Sequence, residues 1–166
     1  MIKDDFILSP EIKKEIDSIR NKFPIDKSKS SIIESLLVIQ HINNGYLSDG
    51  CITSLSDYLN VKKIDIYEVA TFYSMFNLEP VGRNVISVCT NVSCMLRDSD
   101  QIVNYIEKKL KIKIGESTKD NKFYLKNEME CLAACNGAPM MQVNHINYEN
   151  LTFKKIDKIL DGLNDD

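Results

Sequence analysis

Apolar positions recur at helical spacing through the first eighty residues, and the period changes beyond them. Ile12, Ile16 and Ile19 give one apolar side to a segment that opens on Ser9-Pro10-Glu11. Ser9 can accept from the first free backbone amides, and Pro10 suits the first helical position, whose N–H has no intrahelical partner. Ile32, Leu36, Leu37 and Ile39 mark a second helix, for which Ser31-x-x-Glu34 reads as a capping box. Asn43-Asn44-Gly45 closes it, because Asn and Gly accept the left-handed conformation at a helix C-terminus. Thr53 is the expected cap of a third short helix ending near Leu59, and Ile64 to Tyr73 form a fourth. Short helices with short connections predict a small antiparallel bundle over residues 1–80.

Past Pro80-Val81-Gly82 the pattern becomes that of an α/β unit. Asn84 to Cys89 is a compact β-type run. Gln101 to Leu110 is amphipathic, with Ile102, Tyr105, Ile106 and Leu110 on one side. Lys122 to Leu125 reads as a second strand. Met140–Val143 and His145–Tyr148 form a hairpin about Asn144, and Thr152 caps a last helix carrying Ile156, Ile159, Leu160 and Leu163. Strand, helix, strand, hairpin and helix is the order of a thioredoxin-like fold. The whole is expected to be α+β, with a helical bundle domain at 1–80 and a thioredoxin-like α/β domain at 81–166.

The composition narrows the function classes. The chain has 166 residues, is 43% hydrophobic and 27% charged, and carries a net charge of −3. Those are globular proportions without a basic field for nucleic acid. No apolar run approaches the roughly 20 residues that span a bilayer, and the start Met1-Ile2-Lys3-Asp4-Asp5 lacks a secretory apolar stretch. A cytosolic protein is therefore expected, where grouped cysteines favour metal over disulfides. The abundance of Ile, Lys and Asn reads as the mutational bias of an A+T-rich genome. There is no G-x-G-x-x-G, P-loop lysine or Ser/His/Asp grouping, so no nucleotide site of the chain's own is expected.

The candidate chemistry lies in four of the five cysteines. Cys89 and Cys94 form a C-x4-C pair, and Cys131 and Cys135 a C-x3-C pair. Each pair can clasp one metal ion, so two pairs brought together suit a [2Fe–2S] cluster, with two thiolates per iron. A structural zinc site with four cysteine ligands is the main competing reading, although such sites usually use tighter pairs. Redox disulfides are a weaker one, since neither pair is C-x-x-C. Four unligated core thiols fit poorly beside the polar Thr90, Asn91 and Asn136. Cys51 stands alone in the helical half and reads as a packed small side chain. His41 and His145 read as surface or packing residues. Phe72-Tyr73-x-x-Phe76 reads as bundle core or interdomain packing, with partner docking as a lesser possibility.

Several motifs together resemble one family. They are Leu36-Leu37-Val38-Ile39-Gln40, Gly45-Tyr46-Leu47, Val69-Ala70-Thr71-Phe72-Tyr73-Ser74, Pro80-Val81-Gly82-Arg83, Val88-Cys89-x4-Cys94 and Glu130-Cys131-Leu132-x-x-Cys135-x-x-Ala138-Pro139-Met140. They resemble the NuoE-type subunit of respiratory complex I, the thioredoxin-like [2Fe–2S] ferredoxin of its NADH dehydrogenase module. The resemblance implies that Cys89, Cys94, Cys131 and Cys135 hold one [2Fe–2S] cluster. It implies a larger NuoF-type partner that binds FMN and NADH, with further iron–sulfur subunits alongside. The cluster would exchange single electrons with that flavin within an NADH-quinone oxidoreductase, a translocase, and the isolated chain would have no activity. Its implied place is the peripheral arm, on the cytoplasmic face of a bacterial inner membrane, without direct membrane insertion. The same ferredoxin unit serves NAD-linked soluble hydrogenases and formate dehydrogenases, which is the alternative, and a zinc-stabilised interaction module is a further one. The family pattern reads Cys-Leu-Gly-x-Cys, whereas this chain has Ala133 at the glycine's place, and the added Cβ is expected to disturb the loop or crowd the cluster.

Overall fold

The computed structural model describes residues 4–126 and 131–163. Glu130 of the second cysteine motif lies outside the described residues. The chain divides into two compact units, Met1–Pro80 and Val81–Asp166.

The first unit is helical. Its α-helices are α1 (Pro10–Arg20), α2 (Ile32–Ile42), α3 (Asp49–Leu59) and α4 (Lys63–Phe72). Ser9 caps α1 through its Oγ, which accepts from the Ile12 amide at 3.4 Å, with Pro10 in the first turn. Ile12, Ile16, Leu36, Ile39, Leu47, Ile52 and Leu55 share one buried core. Removing such side chains from water supplies about 1.5–3 kcal/mol each. At the end of α2, Asn44 (φ 54°) and Gly45 (φ 85°) take the left-handed conformation expected of them.

Two expected caps are corrected. Ser31 is in a helical conformation and makes no capping bond, because a kinked 3₁₀ segment, Ile25–Ser31, runs straight into α2. Its hydroxyl instead donates to the Ser28 carbonyl at 2.7 Å, and Glu34 pairs with Lys22 at 2.6 Å. Thr53 lies inside α3 and donates to the Asp49 carbonyl at 2.8 Å. The cap of α3 is Ser48, whose Oγ accepts from the Cys51 amide at 3.2 Å. Gly50 in the first turn is required by close approach: a Cβ there would stand 2.4 Å from the Asp4 carbonyl oxygen and 2.9 Å from the Phe6 nitrogen. The aromatic trio is also divided. Phe76 is buried in the core, whereas Phe72 is 79% exposed and Tyr73 is partly so.

The second unit carries β1 (Asn84–Val88), α5 (Val92–Met95), α6 (Ser99–Leu110), β2 (Phe123–Lys126), β3 (Met141–Val143), β4 (Ile146–Tyr148) and α7 (Phe153–Gly162). The sheet order is β2-β1-β3-β4, with β1 parallel to β2 and the other pairs antiparallel. The parallel pair is joined by the segment that holds α6, as parallel strands need a crossover. Ile86, Val88, Phe123, Leu125, Met141 and Val143 of the sheet pack with Ile102 and Ile106 of α6 and Ile156 and Leu160 of α7. Thr152 caps α7, accepting from the Lys155 amide at 3.3 Å. Asn144 and His145 both have positive φ, 48° and 69°, the requirement of a two-residue hairpin turn. The α+β class and the thioredoxin-like element order are those expected.

Candidate metal centre

The strand pair β1–β3 brings the two cysteine motifs together. Its register sets Val88 opposite Met141, and the next pair outward is Cys89 with Met140. The Cys89 amide donates to the Met140 carbonyl at 3.2 Å. The backbone N–H of Met140 in turn bonds the Cys94 thiol. The end of a ladder fixed by hydrophobic burial thus carries the first cysteine and faces the chain that leads out of the second motif.

Cys94 is not in a loop, contrary to expectation. It sits in α5, a single turn capped by Asn91, whose side chain accepts from the Val92 amide at 3.0 Å. That turn folds Cys94 back against Cys89, and the two side chains are hydrogen-bonded. Cys135 opens a 3₁₀ turn, Cys135–Gly137, so that Cys131 and Cys135 face one another with sulfurs 3.4 Å apart. Cys89 and Cys94 are buried with Ala138 and Met140, and Leu132 and Ala134 pack against them. Cys131 and Cys135 are exposed. The Ala138–Pro139 peptide is cis.

Burial pushes the Cys94 thiol up to about 11; the Met140 amide opposes the rise, while Cys89 and Cys135 add to it. Cys135 therefore lies close enough to act on the first pair. The arrangement is two thiol pairs, one inside and one at the surface. Among the described residues, no three His, Cys, Asp or Glu side chains gather as one metal-holding group. A single tetrahedral ion with metal–sulfur bonds of about 2.3 Å would draw all four sulfurs together. Two adjoining pairs match the donor set of a binuclear centre with two thiolates per iron.

Cys51 is fully buried in the core of the first unit and receives a bond from the Ser48 hydroxyl at 3.2 Å. His41 and His145 are both exposed, and His145 occupies the hairpin turn. Sequence reasoning passed over Arg97, whose guanidinium donates to the Ala138 carbonyl at 3.0 Å. Only its position three residues past Cys94 could have drawn notice.

Ala133 has φ 58° and is exposed. The expected change in loop geometry is absent, since alanine keeps the left-handed conformation that glycine would adopt freely. The cost of that conformation for an L-residue is about 1–2 kcal/mol, partly offset by glycine's greater freedom when unfolded. Ala133→Gly should accordingly raise stability by roughly 0.5–1 kcal/mol. Denaturant midpoints of the two proteins would check this, and an equal or lower midpoint would show that alanine bears no strain there.

A family model described as thioredoxin-like [2Fe–2S] ferredoxin matches residues 16–164. The chain is 45% identical over 150 residues to the NuoE-type subunit of the NADH-quinone oxidoreductase of Rickettsia typhi, covering 90% of this chain and 88% of that protein. It is 38% identical over 149 residues to the mitochondrial NADH dehydrogenase [ubiquinone] flavoprotein 2 of Dictyostelium discoideum, covering 90% of this chain and 60% of the relative. Among solved structures, the crystal structure of an air-oxidized NAD+-reducing [NiFe]-hydrogenase matches with a TM-score of 0.65 at 19% identity, which shows a shared fold. The match covers 78% of this chain but spans only 22% of that hydrogenase chain. The family motifs, the two-pair thiol arrangement and the relatives agree, and the chain belongs to the thioredoxin-like [2Fe–2S] ferredoxin family.

Proposed function

We propose that Cys89, Cys94, Cys131 and Cys135 hold a [2Fe–2S] cluster, and that the chain is the NuoE-type electron-transfer subunit of an NADH-quinone oxidoreductase. The observation that carries this is the convergence of two thiol pairs at the end of the β1–β3 ladder. Bound there, the cluster would supply one-electron exchange with the FMN of an NADH-binding partner subunit. The chain's own residues do the rest. Four thiolates ligate, and the Met140 amide donates to the sulfur of Cys94. Leu132, Ala134, Ala138 and Met140 keep water from the buried pair. The exposed Cys131 and Cys135 leave one side open to a redox partner, and α5 beside them exposes Val92, Met95 and Leu96. No helix among the described residues is long and apolar enough to cross a membrane, so attachment to the larger complex would run through other subunits. The implied location is the peripheral arm on the cytoplasmic face.

The test is reconstitution. NADH should reduce the cluster when the flavin-bearing subunit is present and leave it oxidised in the chain alone, since a one-electron centre cannot take a hydride directly. Rapid reduction of the purified, flavin-free chain by NADH would overturn the reading. The hydrogenase or formate dehydrogenase alternative differs in the partner, and the chains that co-purify would identify it.

The ligand assignment also requires that Cys51 be dispensable. Cys51→Ala should keep the full iron and sulfide content while costing the helical unit about 1 kcal/mol for lost packing. Cluster loss from this variant, with its helices still folded by circular dichroism, would show that the four ligands have been chosen wrongly.

A further inference from the structure

Arg97 ties the two cysteine-bearing segments to each other. Its backbone N–H donates to the Cys94 carbonyl at 3.0 Å, which sets it one turn beyond that cysteine. Its Nη1 donates to the Ala138 carbonyl at 3.0 Å, on the segment that leaves Cys135. The other cross-bond, from the Cys89 amide to the Met140 carbonyl, is backbone and continues the β1–β3 pairing. The α5 turn does not belong to the sheet. Where the ladder ends, an arginine side chain takes over the joining of the segments.

The second property of Arg97 is its charge. A centre held by four thiolates is anionic, and reduction adds a further negative charge to it. A fixed guanidinium nearby favours the more negative state, and Arg keeps its charge at any working pH. The side chain is largely exposed, so solvent moderates both effects without removing them. Its hydrogen-bonded fork gives it a defined position that a mobile surface cation would lack.

Resting on the cluster reading above, we propose that Arg97 is a positioning residue for the iron–sulfur centre. It holds the Cys94 turn against the Cys135 segment and raises the reduction potential through its charge. Three variants of the full chain, purified anaerobically, separate the two roles. Arg97→Gln keeps an amide donor and drops the charge. Arg97→Lys keeps the charge without the fork. Arg97→Ala loses both.

The readouts are the midpoint potential, followed by electron paramagnetic resonance in a redox titration, and the rate of iron release to a chelator. The Gln and Ala variants should shift the potential to more negative values, and the Lys variant should restore it. The Ala variant should also release iron roughly fivefold faster, the scale of one exposed charge-assisted hydrogen bond. A purely structural clamp would change release and leave the potentials alone. Equal potentials in wild type and the Gln variant would therefore overturn the inference, as would unchanged release from the Ala variant. A wild-type chain that holds no iron and sulfide would overturn the cluster reading as well, and that outcome is visible before any variant is compared.

Discussion

Replacing Cys94 or Cys135 by alanine should cost the chain most of its iron and sulfide. Each change removes one thiolate from a different pair, and the iron served by that pair is left with an incomplete shell. The two variants should differ in the protein that remains. Cys94 is buried beside Cys89, Ala138 and Met140, so its loss leaves a small void that apolar neighbours can partly fill. Cys135 is exposed, and its replacement hardly disturbs the packing. In both, the fold should persist by circular dichroism while the visible absorption of the cluster disappears. A Cys94→Ala or Cys135→Ala protein that retained the full complement would remove that residue from the ligand set.

The largest expected effect on folding belongs to Gly82→Ala. A Cβ at this position would stand 2.4 Å from the carbonyl carbon of Phe123 and 2.5 Å from its oxygen. These are backbone atoms of β2, which cannot swing aside as the end of a flexible side chain would. The approach is held closed on this chain by the Gly82 amide donating to Ser117 Oγ at 3.1 Å and by the Arg83 and Asn84 amides donating to Asn121 and Lys122 carbonyls at 2.9 and 2.8 Å. Separating the two segments would loosen the β1–β2 register at its start. The cost should reach about 3 kcal/mol, the upper part of the range for overpacked sites. The transition of the C-terminal unit in the full chain would report it, and a midpoint within error of wild type would show that the junction can yield.

Much of the fold is legible in the residues because local signals and burial agree. Ser9-Pro10, Thr152 and the Asn144 turn each carry a hydrogen-bonding or dihedral requirement that few other residues meet, and each appears where expected. The failures have specific causes. Ser31 and Glu34 have the spacing of a capping box, but the preceding 3₁₀ segment already supplies helical backbone, so no free amides remain to be capped in that way. Gly50 disguised the true start of α3, because glycine in a first turn resembles a loop, whereas here it makes room for residues 4–6. The four residues of α5 are too few for any period to show. The asparagines attributed to genome bias prove to have structural use: Asn44, Asn60, Asn121, Asn144 and Asn150 all hold positive φ, which Asn tolerates better than most side chains.

The cysteine site was legible in its membership and illegible in its asymmetry. Spacing alone groups the thiols into two pairs. That one pair is buried and the other open follows from the β1–β3 register and the α5 turn, which depend on partners distant in sequence. Arg97 was missed for the same reason, since its acceptor lies on Ala138, beyond the reach of any local pattern.

The central claim is tested most directly by the metal and sulfide content of the full chain, made under iron-replete conditions and purified anaerobically. The account predicts about two irons and two acid-labile sulfides per chain, a reddish-brown colour, and a rhombic electron paramagnetic resonance signal that appears on reduction. One zinc per chain without acid-labile sulfide would contradict it.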